Sequence, residues 1–136
     1  MKTKIALAKC RNYDPNEVDR AVNKVLDSLG GIENIIRPNS KVLIKPNLLT
    51  DSQPQECITT HPRVVESIIC SLNKTNAEVY VGDSPGVIGQ RKEIDRVYEV
   101  TGMKEVCQRQ GAILAYFDKA ILKNDIPIAD WVKRCD

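Results

Sequence analysis

The stretch Val42-Leu43-Ile44-Lys45-Pro46-Asn47 constrains this chain more than any other. Its continuous apolar run fits a strand covered on both faces. Pro46 cannot donate a ladder hydrogen bond, so the strand must stop beside it. Two more polar clusters follow. Thr59-Thr60-His61-Pro62 opens a helix with Val64, Val65, Ile68, Ile69 and Leu72 on one side. Gly82-Asp83-Ser84-Pro85-Gly86 closes the next strand, Glu78 to Val81. Strand, helix and strand make a βαβ unit, whose polar clusters gather at the loop ends where α/β proteins keep their sites.

The rest of the chain continues the alternation. Lys4 to Cys10 is a short apolar run suited to a first strand. Asp14 then caps a helix, with Pro15 at the first helical position and Glu17 at the capping-box position. Val18, Ala21, Val22, Val25, Leu26 and Leu29 form its apolar stripe, and Gly30-Gly31 end it. A loop from Leu48 to Ile58 reads as polar and without periodicity. Ile94, Val97 and Tyr98 begin a further helix that Gly102 interrupts, and Ala112 to Phe117 form a fourth strand. Ala120 to Leu122 reads as a short strand, and Pro127 to Arg134 as a terminal helix with Trp131 packed inward. Crossovers of this length make neighbouring strands parallel and right-handed. The expected architecture is one domain over residues 1–136, a three-layer α/β/α sandwich with a mostly parallel sheet, Rossmann-like in plan.

Composition narrows the functional classes. A net charge of +2 gives no electrostatic reason to expect nucleic acid or a membrane surface. One Phe, one Trp and four Tyr are too few for a base-stacking platform. No apolar run approaches the ~20 residues of a membrane helix, and the N-terminus lacks a signal-peptide core. The reading is cytoplasmic. Cys10, Cys57, Cys70, Cys107 and Cys135 are scattered without metal or redox spacing, so they read as free thiols. Cys70 is expected to be buried on its helix stripe, while Cys57 stands near the threonine cluster.

In a parallel sheet, Lys45 to Asn47 and Asp83 to Gly86 emerge at the same carboxyl edge. The helix start after Thr60 points there too, offering backbone N–H groups and a positive dipole end to an anion. Lys45 adds a charge, and Gly86 permits close approach of a ligand to the backbone. The ligand-binding candidates are therefore Lys45, Asn47, Thr59, Thr60, His61, Asp83, Ser84 and Gly86. Neither a dinucleotide fingerprint nor a Walker loop is present. His61, the sole histidine, reads either as general base or metal ligand, or as a residue positioning the loop. Asp83 reads as a cation holder, a partner for His61, a base, or a turn aspartate. Thr60 is most simply the N-cap and Thr59 a loop residue. Lys45 either binds an anion or pairs with Asp83; Asn47 is divided between turn and ligand. His61 and Asp83 are the catalytic candidates, and no metal set is read.

Taken together, Lys45-Pro46-Asn47, Thr59-Thr60-His61-Pro62 and Gly82-Asp83-Ser84-Pro85-Gly86 resemble the motifs of the family catalogued as domain of unknown function 362. Ala8-Lys9-Cys10 with Tyr13, and Gly30-Gly31, resemble it as well. The resemblance implies an N-terminal subdomain of a longer protein. Family members usually continue past the position of Asp136 into a further strand, a lysine-rich motif with a histidine, and often an iron–sulfur segment. It therefore implies no cofactor within this chain and an iron–sulfur cluster in the missing C-terminal part. The family is also distantly similar to the N-terminal domain of the nickel-pincer lactate racemase, which suggests a cleft at these loops and no more. The functional expectation is an anion-binding subdomain, for phosphate or carboxylate, of an iron–sulfur-associated enzyme, inactive as a fragment. The alternative is a non-catalytic scaffold or electron-transfer accessory domain. Expected partners are a small anionic ligand, the remainder of the same protein and, through an exposed edge or face, a second copy.

Overall fold

A computed structural model describes residues 3–85 and 91–117. Helix α1 (Pro15–Ser28) starts where Asp14 caps it. The Asp14 carboxylate accepts from the N–H groups of Asn16 at 3.0 Å and Glu17 at 3.3 Å. Donors that a helix start leaves free are thereby satisfied. Glu17 does not close a reciprocal capping box; its carboxylate takes Arg20 instead, at 2.8 Å. The helix ends at the glycine pair, where Gly30 and Gly31 hold φ of +109° and +90°. Such angles strain any residue with a side chain.

A short helix α2 (Ile32–Ile35) leads into β1 (Lys41–Ile44). There follow a single 3₁₀ turn (Pro54–Glu56), α3 (Pro62–Asn73) and β2 (Glu78–Val81). Then come α4 (Arg91–Val100), α5 (Met103–Gln110) and β3 (Ile113–Leu114). The strands form one parallel sheet in the order β1-β2-β3, with Leu43 beside Tyr80 and Tyr80 beside Ile113. The fold is thus mixed α/β with a parallel sheet, as the alternation of strand and helix patterns requires.

Helix α3 packs on β2 and α5, α5 on β3, and α1 on α3. The core joins Val65, Ile69 and Leu72 of α3 to Val79 and Val81 of β2, and to Val97, Tyr98, Met103 and Val106 from α4 and α5. Cys70 stays out of it. One residue beyond Ile69 lies about 100° further round the helix, so the thiol is exposed, 3.4 Å from Gln110 Oε1.

Three strand expectations meet a different outcome. Lys4 to Cys10 is not a strand, and Ile5 and Leu7 are 82% and 89% exposed. The run from Ala112 to Phe117 pairs only at Ile113 and Leu114. Nor is β1 covered on both faces: Val42 and Ile44 pack on the core, whereas Leu43 is 50% exposed. Both crossovers are expected to be right-handed and both step the same way across the sheet, so their helices fall on one face. Among the described residues the opposite face presents Leu43, Tyr80 and Ile113. The expectations for residues 120–122, 127–134 and Trp131 lie outside the described residues, as does Gly86.

Gly82 carries the close approach of β2 to the exit of β3. A Cβ there would stand 2.6 Å from Ala115 O and 2.9 Å from Ala115 Cβ. Gly82→Ala is expected to cost about 1–3 kcal/mol by overpacking, measured by chemical denaturation. Unchanged stability would show that β3 can move away freely.

Candidate functional site

Lys45, Pro46 and Asn47 leave the carboxyl end of β1, while Gly82 and Asp83 leave β2 beside them, because the two strands run parallel and in register. Lys45 Nζ lies 2.5 Å from Asp83 Oδ1. The other carboxylate oxygen accepts from the Leu48 N–H at 2.8 Å. Of the two readings open for Lys45, pairing is therefore formed. The Asp83 side chain is 6% exposed and that of Lys45 65%. The acid is the buried anchor, and the ammonium, with three N–H donors, still faces water. Leu48 is fully buried although its loop reads as polar. Burial alone would raise the Asp83 carboxyl, but Lys45 and the N–H groups of Leu48 and Ser84 hold it below its ordinary 3.8.

A second pair of bonds joins the strand end to the helix entry. The Asn47 N–H donates to Thr60 Oγ1 at 2.9 Å, and the Thr60 N–H donates to Asn47 O at 2.8 Å. Thr60 is consequently not the N-cap. His61 is: its Nδ1 accepts from the Arg63 N–H at 3.2 Å, and its carbonyl accepts from the Val64 N–H at 3.0 Å. Pro62 has no N–H to offer. The first-turn donors that recommend α3 as an anion site are thus already taken by His61. The imidazole also stacks on Tyr13, with centroids 3.7 Å apart and planes 4° from parallel. Burial, and then the Arg63 charge, lower its pKa below 6.5. Both influences favour the neutral ring, whose Nδ1 lone pair makes the cap bond.

The structure thus brings Lys45, Asn47, Thr60 and Asp83 together through direct bonds, with His61 adjoining. Asp83 is committed to Lys45 and Leu48 rather than to His61. Thr59 is buried and its Oγ1 has no partner among the described residues, whereas Ser84 is exposed. Cys57 is exposed in the same loop, with φ of 57°.

On the far side of His61 lies a cavity of about 440 Å³, lined in part by Gln55, His61, Arg63, Glu105 and Arg109. Behind it the buried Glu66 carboxylate pairs with Arg63 and accepts from Arg109 Nε at 2.7 Å and Gln110 Nε2 at 3.0 Å. Burial would raise its pKa, yet Arg109, Gln110 and Arg63 hold it below 4.5. This network escaped the sequence reading. The Arg63–Glu66 spacing was a visible signal, but Arg109 arrives from a different helix. Lys45, Asn47 and Asp83 do not line the cavity, so two polar surfaces adjoin at His61. Among the described residues no cluster of three or more His, Cys, Asp or Glu is placed to hold a metal.

Asp83 links the site to pH. Its folded pKa is depressed, so its contribution to stability is present above the unfolded value and is lost as pH falls through the folded one. Wild-type stability should therefore decline on acidification below about pH 3.8, and Asp83→Asn should decline less over that window. Lys45→Ala removes a counterweight to burial and should raise the Asp83 carboxyl pKa, read by carbon NMR. An unmoved titration would show that Lys45 does not hold the acid ionised.

Comparison with known proteins adds three findings. Residues 42–136 match the model of the family described as "Domain of unknown function (DUF362)". Over 86 residues the chain is 34% identical to a protein of Synechocystis sp. (strain ATCC 27184 / PCC 6803 / Kazusa) named as thylakoid-associated. That match covers 62% of this chain and 26% of the relative, so the chain spans about a quarter of its length. No solved structure matches. Lys9, Cys10 and Tyr13 precede the family match.

Proposed function

The chain belongs to the family of domain of unknown function 362, and on that premise we propose that it is the anion-binding α/β part of a longer protein. The ligand is a phosphate or carboxylate at the carboxyl edge of the sheet. Lys45, Asn47 and Ser84 contact it, Gly86 admits it close to the backbone, and Thr59, Thr60, His61 and Asp83 hold the loops. The observation that carries this reading is the solvent-facing Lys45 ammonium, fixed 2.5 Å from the buried Asp83 carboxylate. Fixed donors at a strand end are what recognition of a small anion needs.

Any catalysis, with His61 or Asp83 moving a proton, belongs to the longer protein. Its remaining part closes a cleft over these loops, carries the iron–sulfur cluster and completes the Rossmann-like three-layer sandwich. Without that layer, the face of Leu43, Tyr80 and Ile113 favours self-association of this chain. We place the protein in the cytoplasm, without nucleic acid as a partner. No described helix is long and apolar enough to cross a membrane. A thylakoid association like that in the relative's name would therefore use something other than a described helix.

A second reading, as a non-catalytic scaffold or electron-transfer accessory domain, is favoured by two observations. Asp83 neutralises Lys45, and His61 already occupies the first-turn donors of α3. Amide-shift titration with inorganic phosphate and acetate separates the two. Anion binding moves Lys45, Asn47, Thr60 and Ser84 along one saturation curve, and Lys45→Ala weakens it ~10-fold. If those amides stay still and Lys45→Ala changes stability alone, the scaffold reading holds.

A further inference from the structure

We infer that the space between α1, α3 and Ala8 to Tyr13 is a binding site of its own, and that it takes an anionic amphiphile, the carboxylate of a medium-length acyl chain. Neither Lys45 nor Asp83 lines it, so it stands whatever the carboxyl edge of the sheet binds.

The space exists because α1 is incompletely covered. Of its apolar stripe only Val18 is buried. Val22, Val25 and Leu26 stay half-buried, as do Val64 and Ile68 on α3. These five side chains line a cavity of about 530 Å³. Ligand pockets commonly span about 300–1,000 Å³ and are lined mainly by apolar groups, with a few polar ones that fix orientation. Apolar walls give water too few hydrogen-bond partners, and such spaces take apolar groups instead.

The polar part of the lining sets the sign of the head. Arg11, Asn12 and Tyr13 border the cavity, and no acidic residue does. Among the described residues no carboxylate pairs with Arg11. Its guanidinium presents a flat fork of donors that matches a carboxylate. Asn12 Oδ1 accepts from the Asp14 N–H at 2.9 Å, which leaves the amide NH₂ of Asn12 to donate. The Cys10 thiol donates to Asn12 O at 3.0 Å. Those two bonds hold the turn that carries Arg11, and the stack of Tyr13 on His61 holds its far end. Arg11 is the one cation of the lining. It balances a carboxylate, whereas a phosphate monoester would bring about −1.5 to −2 charges. Donors beside an apolar space, with no acid to compete, fit a head that accepts and a tail that leaves water.

The test is methyl NMR on the intact chain, titrated with octanoate, hexanoate, 1-octanol and acetate. Octanoate should shift the Val22, Val25, Leu26, Val64 and Ile68 methyls along one saturation curve. Hexanoate, two methylenes shorter, should bind ~10-fold more weakly, and acetate should leave those methyls still. Arg11 is exposed, so Arg11→Ala spares the core; it should weaken octanoate ~10-fold and octanol less than ~2-fold. Ala21 also lines the cavity. Ala21→Leu fills part of it with little change in helix propensity, and should weaken both ligands at least ~10-fold without lowering the denaturation midpoint. Octanoate that moves none of these methyls overturns the site. Octanol that binds as tightly as octanoate, or octanoate binding indifferent to Arg11→Ala, overturns the anionic head. Nuclear Overhauser contacts of the cavity methyls with Ile5 or Leu7, or with a second copy in a mixed-label sample, overturn the ligand, because protein then fills the space.

Discussion

The Asp83 carboxylate is the interaction on which this edge of the molecule depends. One oxygen takes Lys45 and the other takes the Leu48 N–H, so a single buried side chain ties β2 to both the end of β1 and the loop that follows. Leu48 can enter the core because its backbone donor is satisfied there; an unpaired N–H at that depth would cost about 1–3 kcal/mol. The same bonds keep the acid ionised despite burial, and the exposed partner gives the pair a charged tip in water. Anchor and tip are different residues with different exposure. That division is what allows the motif to be structural and still available to a ligand.

The second organising constraint is the handedness of the crossovers. Two right-handed crossovers that step the same way across a parallel sheet leave their helices on one face. The core is accordingly built on Val42, Ile44, Val79 and Val81, while Leu43, Tyr80 and Ile113 face away from it. Among the described residues no helix covers that second face, whereas all-parallel sheets are ordinarily covered on both.

The helix start after Thr60 shows why a motif has to be followed to its hydrogen bonds. Read as residues, it offers a dipole and free N–H groups to an anion. Read as geometry, Pro62 removes one donor and His61 takes the next two. The charged donor left at this edge is the Lys45 ammonium, itself paired with Asp83. The Glu66 network with Arg63 and Arg109 borders the neighbouring cavity with charges that largely cancel, which suits a rigid wall better than a steering field.

Much of the fold is legible in the sequence alone. Asp14 and Gly30-Gly31 bound α1 because caps and positive φ are local requirements that few residues meet. The strand at Glu78 to Val81, the start of α3 at Pro62 and the helix break at Gly102 were local in the same sense. The candidate site was legible as three clusters at one edge, since parallel strands bring their carboxyl ends together. What the sequence could not decide was every outcome that depends on a distant partner. The position of Lys4 to Cys10, the half-exposure of Leu43, the burial of Leu48 and the exposure of Cys70 are of this kind. So are the pairing of Lys45 with Asp83 and the choice of His61 over Thr60 as the cap. Local chemistry names the residues able to do a job. Only packing shows which of them has its donors, acceptors and solvent left to do it.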